Sequence, residues 1–383
     1  MKNQDAIGLT LVHSVYTWLP LTEGWIFNQV KNITQIEQLV LADKFDKAYP
    51  EKVETIFAPK LSQMGVFLAL RSRLGITDYF RRISILRLKR KVVLLSHYGT
   101  RGFQDLNLPC AFHLVRFYGF DLQRIYQSDK VWKSRYSLLF ERANYFVAEG
   151  EFMARELVKM GCPMKKIWVH HLGVDLSNYN YSKRNAVAPV LQVLVASAFA
   201  ERKGIIYALK AIAKYHQSGK KIHLHFVGAR ISDYPPYLAY EKEVEEFFSN
   251  QKMDSFTTRY GLIEAAKLKT IASKCHVLLH PSVWAADGDS EGGYPMVIAE
   301  MMATGLPVIT TSHCDIPDLV NPSNGWLCRE KNIEDILNAL MEINDEVIMQ
   351  KGFKARKWIE EYFDAAQLGK QFEERILNLV SNG

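Results

Sequence analysis

No apolar run in this sequence approaches the roughly 20 residues that a membrane-spanning helix needs. The longest candidates, around Val92–Leu95 and Val190–Ala198, are strand-sized. The apolar stretch Ile7–Val15 is interrupted by Thr10 and His13, and no small-residue cleavage site follows, so a signal peptide is not expected. Cysteine is sparse: Cys110, Cys162, Cys275, Cys314 and Cys328 are odd in number, far apart and form no C-x-x-C pair. That argues against a disulfide framework and a zinc site and for the reducing cytoplasm. RNP-like aromatic motifs, zinc-finger spacings and helix-turn-helix signals are missing, so no nucleic-acid partner is expected. With 48% hydrophobic and 23% charged residues the chain is of ordinary globular composition, and 383 residues predict about two domains.

What the sequence does have is a formal net charge of +7, which suggests anionic partners. The excess is concentrated. Between Lys60 and Lys91 lie Arg71, Arg73, Arg81, Arg82, Arg87, Lys89 and Arg90, with Asp78 the only acid, and apolar residues such as Phe67, Leu70, Leu74, Phe80 and Ile85 interleave with them. A basic amphipathic segment of this kind reads either as an anionic membrane-surface patch over residues 60–91 or as the solvated face of an ordinary helix.

Short β-branched runs bounded by polar or Gly residues predict strands at Ile7–Val12, Val92–Ser96, Ala111–Phe117, Tyr145–Ala148 and Ile167–His170 in the first half. In the second half they fall at Val190–Ser197, Ile222–Val227, Ser255–Tyr260, Val277–His280, Pro307–Thr310 and Gly325–Cys328. Helical patterns separate them: Trp25–Ala42, Glu151–Met160, Gly204–Gln217, Tyr237–Asn250, Ala265–Ser273, Pro295–Thr304 and Ile333–Ile343, with a longer one at Phe353–Val380. Alternating strands and helices predict parallel sheets of βαβ units. The rhythm runs twice, on either side of a polar stretch, Asp175–Pro189, that reads as a linker. The expectation is two doubly wound α/β domains, 1–180 and 181–355, with ligands at the carboxyl ends of the strands in a shared cleft. A terminal helix, 356–383, either caps the second domain or returns to the first.

Two segments carry candidate chemistry. In the first, the strand ending near Ala198 is followed by Arg202, Lys203 and Gly204, and Gly204 opens a helix. Two cations beside free N–H groups at a helix N-terminus suit a diphosphate. The second is the turn Glu291-Gly292-Gly293-Tyr294, which leads through Pro295 and Met296 into a helix carrying Glu300 among apolar neighbours. Its amides face an anion, and Glu300 is placed to accept hydrogen bonds from a ribose diol. Asp287-Gly-Asp289 superficially resembles a metal-binding pair, but nothing else completes an oxygen cage and both carboxylates are expected in solvent.

Together these segments, with Gly305-Leu-Pro-Val-Ile-Thr310, Asp315-Ile-Pro-Asp318, Tyr260-Gly-Leu-Ile263 through His280-Pro-Ser282, and His171-Leu-Gly-Val-Asp175, resemble the GT-B glycosyltransferases of family 4, the group 1 or RfaG-like type. The resemblance runs from about residue 92 onward. It implies two Rossmann-like domains and retaining transfer of a hexose from a nucleoside-diphosphate-sugar to a glycan or lipid-linked acceptor. Surface-polysaccharide assembly (O-antigen, exopolysaccharide or lipopolysaccharide) at the inner face of the cytoplasmic membrane would follow, with no cofactor or metal. In that reading Arg202 and Lys203 neutralise the leaving diphosphate, Glu300 holds the ribose, and Glu291 contacts sugar hydroxyls. Gly204 and the backbone of Gly292, Gly293, Tyr294, Pro295 and Met296 approach the donor, and Leu262 and Ile263 flank the base. Eight residues separate Glu291 from Glu300, one more than the family's usual seven, which displaces Glu291 by one position, and a one-residue bulge at Gly292–Gly293 would absorb this. In the first domain Leu94-Leu-Ser-His97 and Phe117-Tyr118-Gly-Phe-Asp121 resemble family segments near the reacting centre. Tyr118 stands where the family usually has histidine, and a phenol is a poor base at neutral pH. His97 and Arg116 are the nearest alternatives. Leu19–Gln29 resembles the family's acceptor-side loop without its Gly-Gly turn. Two rival readings remain: a sugar-nucleotide epimerase of the same fold, and a binding protein that has lost catalysis.

Overall fold

The computed structural model describes residues 8–19, 23–46, 54–57, 76–122, 124–128, 130–184, 186–187, 189–230 and 232–382. The chain forms two compact units, one from residues 1–173 with 365–383, the other from 174–364.

The first unit holds a seven-stranded parallel sheet in the order β3-β2-β1-β4-β5-β6-β7. Its strands are β1 (Leu9–Trp18), β2 (Glu37–Phe45), β3 (Glu54–Phe57), β4 (Lys91–His97), β5 (Phe112–Arg116), β6 (Tyr145–Ala148) and β7 (Ile167–Val169). In β1 and β4 residues pointing to both faces are buried, as a sheet covered on both sides requires. The predicted helix Trp25–Ala42 is corrected: a helix at Gly24–Asn32 ends, and β2 begins at Glu37. Ile26, Phe27, Val30, Ile33 and Ile36 keep a helical spacing, but Leu39–Ala42 is a continuous buried run paired in register with Val12–Val15. The turn between helix and strand is held from afar. One carboxylate oxygen of Glu373 accepts the backbone N–H groups of Thr34 (3.1 Å), Gln35 and Ile36 (2.8 Å).

Glu373 belongs to the last helix. The predicted helical stretch Phe353–Val380 is two helices, Asp345–Tyr362 in the second unit and Ala365–Asn382 in the first. The latter places Phe372 and Ile376 in one core with Leu9, Leu11, Val93 and Trp168. Its Gly369 allows contact with the earlier helix, since a Cβ there would lie 2.3 Å from the Asn32 carbonyl oxygen.

The second unit holds a six-stranded parallel sheet, β10-β9-β8-β11-β12-β13. The strands are β8 (Leu191–Ala198), β9 (Ile222–Ala229), β10 (Thr257–Arg259), β11 (Val277–His280), β12 (Val308–Thr311) and β13 (Gly325–Cys328). Helices Ile205–Gln217 and Ile333–Met341 pack on one core with Val193, Val195, Phe226 and Ile309. The stretch 175–184 belongs to the second unit, with Ser177, Asn178, Asn180, Tyr181 and Lys183 exposed. Arg184 is buried and donates to the Ala272 carbonyl (2.8 Å) and to both Thr304 oxygens, which fastens this stretch to the second unit.

Of the basic segment, residues 58–75 lie outside the described residues. Arg82, Leu86, Arg87, Lys89 and Arg90 are exposed on and after the helix Ile76–Leu86. Arg81 is not part of any surface patch: it is buried, paired with Asp105 and bonded to Ser14 Oγ at 2.7 Å. No described helix is long and apolar enough to cross a membrane.

Candidate active site

Each sheet reverses its strand order beside a central strand, β1 next to β4 and β8 next to β11. Loops leaving the carboxyl ends at such points are where open α/β sheets hold ligands. The candidate residues fall on these loops.

In the second unit the loop after β8 forms one short turn, Glu201–Lys203, and Gly204 starts the helix at φ +63°. Only glycine serves there: a Cβ would lie 1.8 Å from the Pro281 carbonyl oxygen. This contact locks the Arg202–Lys203 loop against the loop after β11. Two acids of that second loop hold the two cations. Arg202 pairs with Asp289 and donates to Tyr237 Oη at 2.8 Å. Lys203 Nζ lies 2.7 Å from Glu291 Oε2, and Ser282 Oγ donates to Glu291 Oε1 at 2.9 Å. Burial would raise the Glu291 carboxyl, but Lys203 beside it, with His280 and Arg202, holds it well below the usual carboxylate range. His313 accepts the Glu291 backbone N–H at 3.2 Å and bonds Glu330 through its other ring nitrogen at 2.8 Å.

Several expectations shift. Asp289 is buried on Arg202 rather than solvated, so the Asp287–Asp289 pair does not present two free carboxylates. Among the described residues no group of three or more His, Cys, Asp or Glu converges as a metal site. The first helix amides are not all open to an anion, because Ile206 N–H is taken by Tyr240 Oη at 3.0 Å. Gly292 adopts φ +70°, and its N–H goes to Ser290 Oγ at 3.2 Å. Gly293 and Pro295 are buried, Tyr294 stacks edge-on against Phe363, and Met296 begins the helix Met296–Ala303. Glu300 lies on that helix and bonds Tyr179. Burial pushes its carboxyl up to about 7, against the Tyr179 hydrogen bond and the charge of Lys269. Leu262 is 71% exposed in the turn after β10, and Ile263 beside it is half-buried.

In the first unit His97 ends β4 and Tyr118 follows β5. They meet at 2.5 Å, His97 Nδ1 to Tyr118 Oη. The contact extends inward: His97 Nε2 lies 3.1 Å from His13 Nδ1, and His13 Nε2 lies 3.0 Å from Gln38 Oε1. Gln38 Nε2 donates to the Val30 and Ile33 carbonyls, so its oxygen must accept from His13. The proton direction of the row follows. His13 carries its proton on Nε2, His97 carries its own on Nε2, and Tyr118 donates its hydroxyl proton to His97 Nδ1. Burial lowers His13 to about 4 and His97 well below the ordinary histidine value, so both rings are neutral. Tyr98, next to His97, takes φ 77° and donates to Glu23 at 2.9 Å, a strained backbone of the kind that persists where surroundings over-determine it. Asp121 accepts the N–H groups of Gly99 and Tyr118, at 2.5 and 2.9 Å.

His13, Gln38 and Tyr179 were not among the sequence candidates for chemistry, and Ser282 and Asp289 entered only as part of a motif and as a rejected metal ligand. The contacts that place His13, Gln38 and Asp289 join residues 25 to 87 positions apart, Ser282 meets Glu291 nine positions on in the loop after β11, and Tyr179 meets a helix over a hundred residues on.

Both sheets and their strand orders define a GT-B glycosyltransferase fold, and residues 191–345, most of the second unit, match the family described as glycosyl transferases group 1. The chain therefore carries a group 1 glycosyltransferase domain. Among its relatives is WcaL of Escherichia coli strain K12, a glycosyltransferase named for colanic acid biosynthesis, 26% identical over 294 residues that span 74% of this chain and 69% of WcaL. Among solved structures, sucrose-phosphate synthase of Thermosynechococcus elongatus aligns over 98% of this chain and 100% of its own, with a TM-score of 0.77 and 16% identity. Anabaena HepE, solved with UDP-glucose, aligns over 96% of this chain and 99% of its own, with a TM-score of 0.71 and 15% identity.

Proposed function

We propose that the protein transfers a hexose from a nucleoside-diphosphate-sugar to a hydroxyl of a glycan or lipid-linked glycan, with retention of anomeric configuration, in surface-polysaccharide biosynthesis. The observation that carries the reading is the Arg202–Lys203 loop, pinned by Gly204 against Pro281 and held by Asp289 and Glu291 at the carboxyl ends of β8 and β11. Two cations fixed before substrate arrives suit a departing diphosphate, because preorganised charge needs no rearrangement as the bond breaks. Glu300 then accepts from the ribose hydroxyls, and Glu291 from hydroxyls of the sugar. The UDP-glucose bound to HepE supports a nucleotide-sugar donor, and the name of WcaL supports a polysaccharide product.

In this reading the cation pair performs the charge neutralisation that a divalent ion performs elsewhere, so the reaction proceeds in EDTA. In the first unit Tyr118 has its hydroxyl proton directed to His97, leaving the phenol oxygen to accept from a substrate hydroxyl. The exposed Arg82, Arg87, Lys89 and Arg90 favour docking at the inner face of the cytoplasmic membrane. The test is release of nucleoside diphosphate from UDP-, GDP- and ADP-hexoses in EDTA, with and without extracted lipid-linked acceptor, and product anomers read by NMR. Acceptor-dependent release with retained configuration supports the reading. Release that needs no acceptor and returns an epimerised nucleotide-sugar replaces it with an epimerase. Loss of lipid-acceptor activity on neutralising Arg82, Arg87 and Lys89 supports the membrane contact, and unchanged activity removes it.

A further inference from the structure

Nine buried side-chain nitrogen and oxygen atoms among the described residues have no hydrogen-bond partner, and five of them belong to three side chains that line one pocket of the first unit. They are Trp25 Nε1, Gln29 Nε2 and Oε1, and Arg116 Nε and Nη1. Trp25 and Gln29 come from the helix after β1, and Arg116 is the last residue of β5. His170, His171 and Gly173, after β7, and Ala365 of the final helix also line it. The pocket thus sits at the carboxyl ends of parallel strands, where ligands bind in such sheets.

The three side chains with unpartnered atoms are mostly donors. Trp25 and Arg116 offer only donors, and Gln29 offers donors and a single acceptor oxygen. Arg116 is fully buried. One of its nitrogens, Nη2, donates to the His170 carbonyl at 2.6 Å, and no described carboxylate forms an ion pair with it. A buried guanidinium without a counter-charge is costly, and so is each buried polar atom left unpaired. Water would satisfy some of the hydrogen bonds but not the charge. The cavity itself is small, about 20 Å³, so it admits an oxygen or two of one ionised group reaching in from solvent rather than a whole nucleotide-sugar.

We infer that this pocket is an oxyanion subsite that binds one carboxylate or phosphate group. That the group belongs to the acceptor, as an acidic sugar or a phosphate, rests on the transferase reading; the subsite itself does not.

The experiment follows the indole N–H resonance of Trp25 in the full chain by NMR, assigned by its loss in Trp25→Phe. The probes are inorganic phosphate and glucuronate, with glucose and chloride at matched ionic strength as controls. A saturable shift with glucuronate alone assigns a carboxylate, and one with phosphate alone assigns a phosphate. Gln29→Glu places a carboxylate beside Arg116, so it should weaken the oxyanion response by about tenfold or more while raising the melting temperature. Arg116→Lys, which keeps the charge and loses the fork, should weaken it without abolishing it. No shift with either oxyanion, or an equal shift with glucose, overturns the inference and leaves a water-filled cavity. UDP added to the same samples reports separately on the second unit, so failure of the donor-site reading is distinguishable from failure of the subsite.

Discussion

Lys203 Nζ sits 2.7 Å from Glu291 Oε2, with both side chains largely out of solvent. The cation assigned to the donor phosphate is therefore aimed by an acid on the other loop of the same site. Breaking a buried pair by removing one partner costs about 3–5 kcal/mol, so Glu291→Gln should lose on that order of stability in urea unfolding. Because the folded Glu291 carboxyl lies well below its unfolded value, its contribution is present above about pH 4.3 and is lost as pH falls further. Melting curves from pH 7 to 3 should show this acid limb in the native protein and a weaker one in the variant.

Glu300 titrates the other way. Burial holds it at about 7, so stability from its neutral form is complete below about pH 4.3 and is lost as pH rises through 7. In the proposed donor site a ribose diol donates to the ionised form. Nucleotide affinity should therefore fall toward tenfold per pH unit below 7, and Glu300→Gln should bind more weakly and without that limb. Calorimetric titration of UDP into both proteins between pH 5.5 and 8 checks it, the ratio cancelling the titration of UDP itself.

Gly204 and Gly161 give a matched contrast. Both have positive φ, but a Cβ at Gly204 meets the Pro281 carbonyl at 1.8 Å, whereas at Gly161 it meets nothing within 4 Å. Gly161→Ala should cost about 1 kcal/mol, from the left-handed backbone alone. Gly204→Ala should cost roughly 3 kcal/mol or more and displace the Arg202–Lys203 loop. Urea unfolding and nucleotide titration of the two variants separate the backbone effect from the clash.

Glu373→Ala leaves the Thr34, Gln35 and Ile36 amides without their acceptor. At about 1–3 kcal/mol for a fully buried orphan group, a loss of roughly 3–5 kcal/mol is expected, with proteolysis entering first near residues 33–37. Glu373→Gln keeps an acceptor oxygen and should lose less.

The second sheet was legible because its strands are apolar runs closed by Gly or Pro: Pro307 precedes β12, and Gly325 opens β13. β2 was not legible. Its apolar residues continue the spacing of the helix before it, and the stop comes from a carboxylate more than 330 positions away. The Arg202–Gly204 loop could be read because adjacent cations and a helix-opening glycine are a local pattern. The acids that hold it could not, since Asp289 and Glu291 reach it only once β8 and β11 are paired side by side. The row from Tyr118 through His97 and His13 to Gln38 likewise depends on which residues neighbouring strands bring together.

Nucleotide binding by the second unit is tested most directly by thermal unfolding of the full chain in EDTA with UDP, GDP, ADP and CMP, beside an R202A/E300A double variant. A ligand at 100 times its dissociation constant adds about 2.7 kcal/mol. One nucleoside diphosphate should raise the melting temperature of the native protein and leave the variant unmoved. No shift with any nucleotide, or the same shift in the variant, would contradict a donor site built on Arg202 and Glu300.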